Sequence, residues 1–180
     1  MKKQVLFIQG GGEGAYAEDE ALAVSLQRAL GSEYGVIYPH MPNEDDPQYE
    51  PWAAQIALEH GALGDGAILV GHSVGGTVLL RYLSEAKIDK PIGGIFVIAA
   101  PAWGAEEWQA DLPLGVPLFL YHGRDDEIVP YEHLAQLAQK FPQATVRAVE
   151  GRGHQFGNDL TLVAENIKGL PGRGGASRKG

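Results

Sequence analysis

Short apolar runs and helical patterns alternate along this chain. Runs of β type fall at 4–9, 35–38, 67–70, 94–99, 117–121 and 145–149. Between them, apolar residues recur at helical spacing. Leu22, Leu26, Ala29 and Leu30 mark one face of a first helix, which Gly31 stops. A second is expected to start near Pro51, whose missing N–H costs nothing at a helix start, with Trp52 and Ile56 inward and Gly61 at its end. Val74, Val78, Leu79, Tyr82 and Leu83 trace a third. Leu134, Leu137, Ala138 and Phe141 trace a fourth that opens near Pro130. Asn158 is the expected N-cap of a last helix carrying Leu160, Val163, Ala164 and Ile167.

This repetition predicts an α/β domain with about six parallel strands and helices on both faces. Crossovers should be right-handed, and ligands should bind beyond the carboxyl ends of the strands. A single domain is expected over 1–169. From 170 to 180 the chain is Gly-rich and basic with little to bury, which predicts a flexible tail. The segment 101–116 holds Trp103 and Trp108 but is too short for a separate cap domain. A nearly lidless site follows, with at most a short flap.

The junction of the third strand and third helix carries chemistry. Gly71-His72-Ser73-Val74-Gly75 matches Gly-x-Ser-x-Gly between the run Ala67-Ile68-Leu69-Val70 and a helical pattern. A strand that passes straight into a helix makes a tight turn and pushes the serine hydroxyl above the sheet. A serine needs a base, and the base an orienting acid. The order nucleophile, acid, base places the acid after a late strand and the histidine after the last one. The fifth run leads into His122-Gly123-Arg124-Asp125-Asp126-Glu127-Ile128-Val129-Pro130, and the sixth into Glu150-Gly151-Arg152-Gly153-His154. His154 is the candidate base. Asp126 is chosen over Asp125 as the acid, for its spacing to Val129-Pro130; Asp125 and Glu127 are then capping or solvated charges. For an oxyanion hole, the Val74 N–H is one candidate donor. The other is Gly11, with Gly12 as the near alternative, from the loop Gln9-Gly10-Gly11-Gly12-Glu13-Gly14.

Composition narrows the field. The chain has 180 residues, no cysteine and a formal net charge of -9. That excludes a thiol nucleophile and a Cys-ligated zinc site and disfavours nucleic acid and anionic lipid as partners. Lys2 and Lys3 precede an apolar run too short for a signal peptide, so a cytoplasmic protein with no membrane partner is expected. Gly12-Glu13-Gly14-Ala15-Tyr16-Ala17 fits a loose dinucleotide pattern, but no carboxylate ends the second strand to hold a ribose. His72 and His122 are expected to pack beside their loops, and His40, His60 and His133 carry no motif. No metal site is expected.

The segments 71–76, 122–130 and 151–154 together resemble the α/β-hydrolase superfamily. The likeness is to its small, lidless bacterial serine esterases, the group that includes relatives of retinoblastoma-binding protein nine. It covers roughly 3–170. It implies a minimal α/β-hydrolase fold, without the first two antiparallel strands of the full fold. It implies Ser73 as nucleophile, Asp126 as acid and His154 as base, and no cofactor. Many relatives carry His-Gly in the first loop where this chain has Gln9-Gly10, which leaves the second oxyanion donor open. The expected substrate is a small carboxylic ester, cleaved by a monomer or small homo-oligomer. Thioester cleavage or acyl transfer would use the same site, and some relatives are discussed as protein-interaction factors. Tyr16, Trp103 and Phe156 are candidates to line an acyl pocket.

Overall fold

The computed structural model describes residues 1–172. The remainder of the stretch expected as a tail, 173–180, lies outside the described residues. The elements run β1 (Lys3–Ile8), α1 (Ala15–Leu30), β2 (Tyr34–Ile37), α2 (Tyr49–Ala62), β3 (Ala67–His72), α3 (Val74–Glu85), β4 (Ile92–Ile98), β5 (Leu118–Gly123), α4 (Glu132–Lys140), β6 (Thr145–Val149) and α5 (Thr161–Lys168). Six strands form one sheet in the order β2-β1-β3-β4-β5-β6, and every neighbouring pair is parallel. This is the minimal α/β-hydrolase fold.

Two cores explain why β1, β3 and β4 read as continuous apolar runs. Val5 and Phe7 of β1, Ile68 and Val70 of β3, and Phe96 and Ile98 of β4 pack against Leu22 and Leu26 of α1 and Val163 and Ile167 of α5. Their alternates, Leu6, Ile8, Leu69, Ile95 and Val97, pack against Trp52 and Ile56 of α2, Leu79 and Leu83 of α3, and Leu134 and Leu137 of α4. With both faces buried, side chains of either orientation must be apolar. No helix among the described residues is long and apolar enough to cross a membrane.

The last helix starts later than the sequence predicts. Asn158 is not its N-cap: it closes a short 3₁₀ turn over Phe156–Asn158, with φ at 51°. Asn tolerates this left-handed conformation better than most residues. Leu160 takes the cap position without a side-chain cap bond, and just before it Asp159 Oδ1 accepts the Thr161 N–H at 2.9 Å and the Thr161 hydroxyl at 2.6 Å. Leu170 packs against the core beneath α5.

Between β4 and β5 the chain lies on the body without forming a cap. Trp108 is buried against Phe141, ring centroids 5.9 Å apart, and Lys140 donates to its carbonyl. Trp103, by contrast, is exposed and meets the edge of His133.

Backbone crowding fixes the β3–α3 junction. A Cβ on Gly75 would lie 2.0 Å from the Gln9 carbonyl oxygen, and one on Gly71 would lie 2.6 Å from Gly76 Cα. Both glycines let α3 descend onto the ends of β1 and β3. Gly75→Ala is expected to lower stability by about 1–3 kcal/mol, because the backbone must shift. Gly61→Ala in α2, where the added carbon meets nothing within 4 Å, should raise stability by up to about 1 kcal/mol. Urea unfolding with an unchanged m-value checks both.

Candidate active site

The turn that ends β3 holds Ser73 at φ 54° and ψ -130°. A non-glycine residue at positive φ costs on the order of 1–3 kcal/mol and persists only where its surroundings dictate it. Here the Ser73 N–H is spent on Ile98 O at 2.8 Å, and its carbonyl accepts the Gly76 N–H at 2.9 Å. The hydroxyl therefore stands at the carboxyl edge of the central strands.

Two loops bring partners to it. The loop after β6 turns at Gly151, φ 68°, and delivers His154, whose Nε2 lies 3.0 Å from Ser73 Oγ. The loop after β5 delivers Asp126. Its Oδ2 is 2.9 Å and its Oδ1 3.1 Å from His154 Nδ1. Because the carboxylate accepts the Nδ1 hydrogen, Nε2 is left free to accept the serine proton. The Asp126 side chain is fully buried and that of His154 nearly so. Oδ1 also accepts the N–H groups of Ile128 and Val129, at 2.9 and 2.8 Å, which is the local reason the spacing to Val129 matters. Asp125 is exposed, and its own N–H serves to hold the loop to Arg152 O at 3.0 Å. Glu127 is more than a solvated charge, since its Oε2 accepts the His154 N–H at 3.3 Å. His122 donates to Val129 O at 2.9 Å and sits 3.1 Å from Asp126 Oδ2.

The first loop separates the oxyanion candidates. Gly12 donates its N–H to Glu44 O at 2.7 Å, and Gly10 donates to Asp19 Oδ2 at 2.7 Å. Among the described residues the N–H groups of Gly11 and Val74 have no hydrogen-bond partner. Gln9 is fully buried and acts as the loop's anchor. Its Oε1 accepts the Met41 N–H at 2.8 Å, and its Nε2 donates to Glu44 Oε2 at 2.8 Å. Glu44 Oε2 also accepts the Tyr16 N–H at 2.7 Å. A carboxylate thus already occupies the start of α1, where a dinucleotide phosphate would have to sit.

The proposed pocket residues fare unevenly. Phe156 is 1% exposed and belongs to the core, so it lines no acyl pocket. Tyr16 is stacked between Tyr38 and His40, with centroids 4.6 and 4.3 Å away. Trp103 alone of these candidates presents a largely open face.

A pair the sequence reading missed lies directly behind the serine. Asp19 of α1 and His72 of β3 are buried to 3% and 2% side-chain exposure, with Oδ2 and Nδ1 2.7 Å apart. Gln155 Nε2 donates to Asp19 Oδ1 at 2.6 Å, and His72 Nε2 lies 2.9 Å from His154 O. Position 19 falls on the buried stripe of α1 with Ala15, Leu22, Ala23 and Leu26. A lone acid on that stripe was the available signal. Burial alone would raise the Asp19 pKa, but the hydrogen bond and charge of His72 overcome it and the net shift is downward. Burial pushes His72 down, Asp19 pushes it up, and the net shift is upward.

The signs give a stability window. Asp19 contributes fully above its ordinary value of about 3.9 and loses that contribution as pH falls through its lowered one. His72 contributes fully below about 6.5 and loses it as pH rises through its raised value. Asp19→Asn is therefore expected to destabilise most between about pH 4 and 6.5, by on the order of 3–5 kcal/mol. Unfolding curves collected across pH check this; a deficit that does not vary with pH would contradict it.

Comparison with known proteins gives the family and the fold. A model of the serine hydrolase family matches residues 24–158. The chain is 27% identical over 167 residues to the putative hydrolase YdeN of Bacillus subtilis (strain 168), covering 86% of each protein. The B. subtilis ydeN gene product superposes with a TM-score of 0.75 at 24% identity, over 94% of this chain and 98% of that one. Arabidopsis thaliana SOBER1 gives 0.67 at 19% identity, over 94% and 99%. The esterase domain of a Rhodothermus marinus protein gives 0.64 at 20% identity, over 93% and 85%. These solved structures share the fold, and the family match covers most of the chain's length: this protein belongs to the serine hydrolase family.

Proposed function

We propose that this protein is a carboxylesterase-type hydrolase that cleaves small carboxylic esters through an acyl-enzyme on Ser73. The observation that carries this reading is the unbroken chain of short contacts from Ser73 Oγ to His154 Nε2 and from His154 Nδ1 to Asp126.

Ser73 Oγ attacks the ester carbonyl carbon while His154 Nε2 takes its proton. Asp126 keeps the Nδ1 hydrogen in place and offsets the positive charge that forms on the ring. The carbonyl oxygen becomes an oxyanion, and the free N–H groups of Val74 and Gly11 are its donors. A single such donor lowers the barrier by about 3–4 kcal/mol. The tetrahedral species collapses, the alcohol leaves with the proton from His154, and the acyl group stays on Ser73. Water, deprotonated by His154, then attacks the acyl carbon, the bond to Ser73 Oγ breaks, His154 returns the proton to Oγ, and the carboxylic acid is released. The cycle needs no metal or cofactor.

The absence of a cap over 99–117 supports short acyl groups. A site without walls cannot remove a long chain from water, so burial energy of about 0.8 kcal/mol per methylene is not collected. The contacts of both Asp126 oxygens with His154 Nδ1 support Asp126 over Asp125 as the acid.

A fluorophosphonate probe should label the wild type and leave Ser73→Ala unlabelled; labelling that persists would refute the nucleophile. Asp126→Asn should reduce kcat by about 10⁴-fold on a short-chain ester, because the imidazole loses its tautomer lock. Asp125→Asn should stay within about twofold of the wild type. The reverse pattern would move the acid to Asp125.

A further inference from the structure

We infer that Asp19 and His72 are a positioning pair for the reaction, with His72 held as an imidazolium that ties the base loop and the oxyanion loop to the residue preceding the nucleophile. This rests on the reading of Ser73 as nucleophile and His154 as base.

The proton count follows from the partners. His72 Nε2 faces the His154 carbonyl oxygen at 2.9 Å, and a carbonyl only accepts, so Nε2 carries a hydrogen. His72 Nδ1 faces Asp19 Oδ2 at 2.7 Å. The same Asp19 oxygen already accepts the Gly10 N–H at 2.7 Å, and the other oxygen accepts from Gln155 at 2.6 Å. A carboxylate surrounded by donors remains ionised, so the shared proton belongs on Nδ1. Both ring nitrogens of His72 are then donors, and the ring is charged.

The pair holds four pieces of the site together. Gly10 starts the loop that presents Gly11. Gln155 follows the base. The His154 carbonyl is the base's own backbone. His72 is bonded to Ser73. If His72 loses its proton, one of its two bonds must break, and among the described residues the bond from the ring to the base loop is the one to His154 O. A shift of about 1 Å in a reacting group can cost 10²-fold in rate. Asp19 and His72 themselves reach no substrate, since neither side chain is open to solvent.

The titratable groups facing the pair come from three directions. His154 approaches from the β6 loop, ring centroids 5.0 Å apart. Asp126, from the β5 loop, adds a negative charge that favours the charged ring. Tyr38, just past β2, feels Asp19; burial first and then that charge push its phenol upward, so it stays neutral.

Asp19→Asn removes the counter-charge while keeping an oxygen for Gly10. The expected result is a fall in kcat of about tenfold or more, KM within about threefold, and an alkaline limb of the kcat profile moved to lower pH. A variant whose alkaline limb stays at the wild-type position overturns the inference, as does wild-type kcat. In wild-type protein, histidine-selective ¹⁵N spectra at pH 7.5 should show hydrogens on both ring nitrogens of His72. A neutral His72 ring there overturns the inference even if the variant does not fold. The two readings fail separately: turnover that survives Ser73→Ala removes the nucleophile, whereas wild-type behaviour of Asp19→Asn in an enzyme that Ser73→Ala silences removes only the positioning role.

Discussion

The chain has to pass from the central strand into a helix within one residue, and everything at the site answers to that demand. Ser73 takes the strained conformation, and glycines on either side let α3 approach β1 and β3 more closely than any side chain would allow. The strain is offset by fixed hydrogen bonds to Ile98 and Gly76. The result is a hydroxyl fixed at the carboxyl edge of the central strands, 3.0 Å from His154 Nε2. A relaxed serine would lie back on the helix and lose its reach to His154.

Two carboxylate–histidine pairs flank this hydroxyl, and burial gives them different work. The Asp126 side chain is sealed from solvent, and that of His154 keeps a small exposed part with its Nε2 against Ser73 Oγ. Asp19 and His72 are both sealed, so that pair holds position. Buried ion pairs add little net stability compared with apolar residues of the same size. Their value here lies in direction: each bond points a loop at Ser73. Gln9 and Glu44 do the same for the first loop with a neutral amide and a carboxylate.

Much of this was legible from residues alone, and for physical reasons. Burial on both sheet faces makes the central strands β1, β3 and β4 solid apolar runs, so the sheet type follows from pattern, whereas the edge strand β6 is largely exposed and carries Arg147. The steric demands of the turn write glycines around Ser73, and chain order in this fold places the acid and the base after late strands. What stayed hidden depends on contacts distant in sequence. Asp19 stands out only as a lone acid on an apolar stripe, and its partner His72 lies 53 residues away. Gly11 and Gly12 are equivalent as letters, and the Glu44 carbonyl separates them by consuming the Gly12 N–H. Asn158 is a good cap by type, yet the left-handed turn through Gly157 and Asn158 delays the helix, whose cap position falls on Leu160. Phe156 follows the candidate base His154 by two residues and is buried in the core.

The most direct measurement is the mass of the protein during turnover of a slowly hydrolysed ester, quenched in acid and mapped by peptide. The account predicts a single acyl group on the peptide that contains Ser73, forming and decaying as fast as the overall reaction requires. Steady hydrolysis with no acyl group at Ser73 would contradict it.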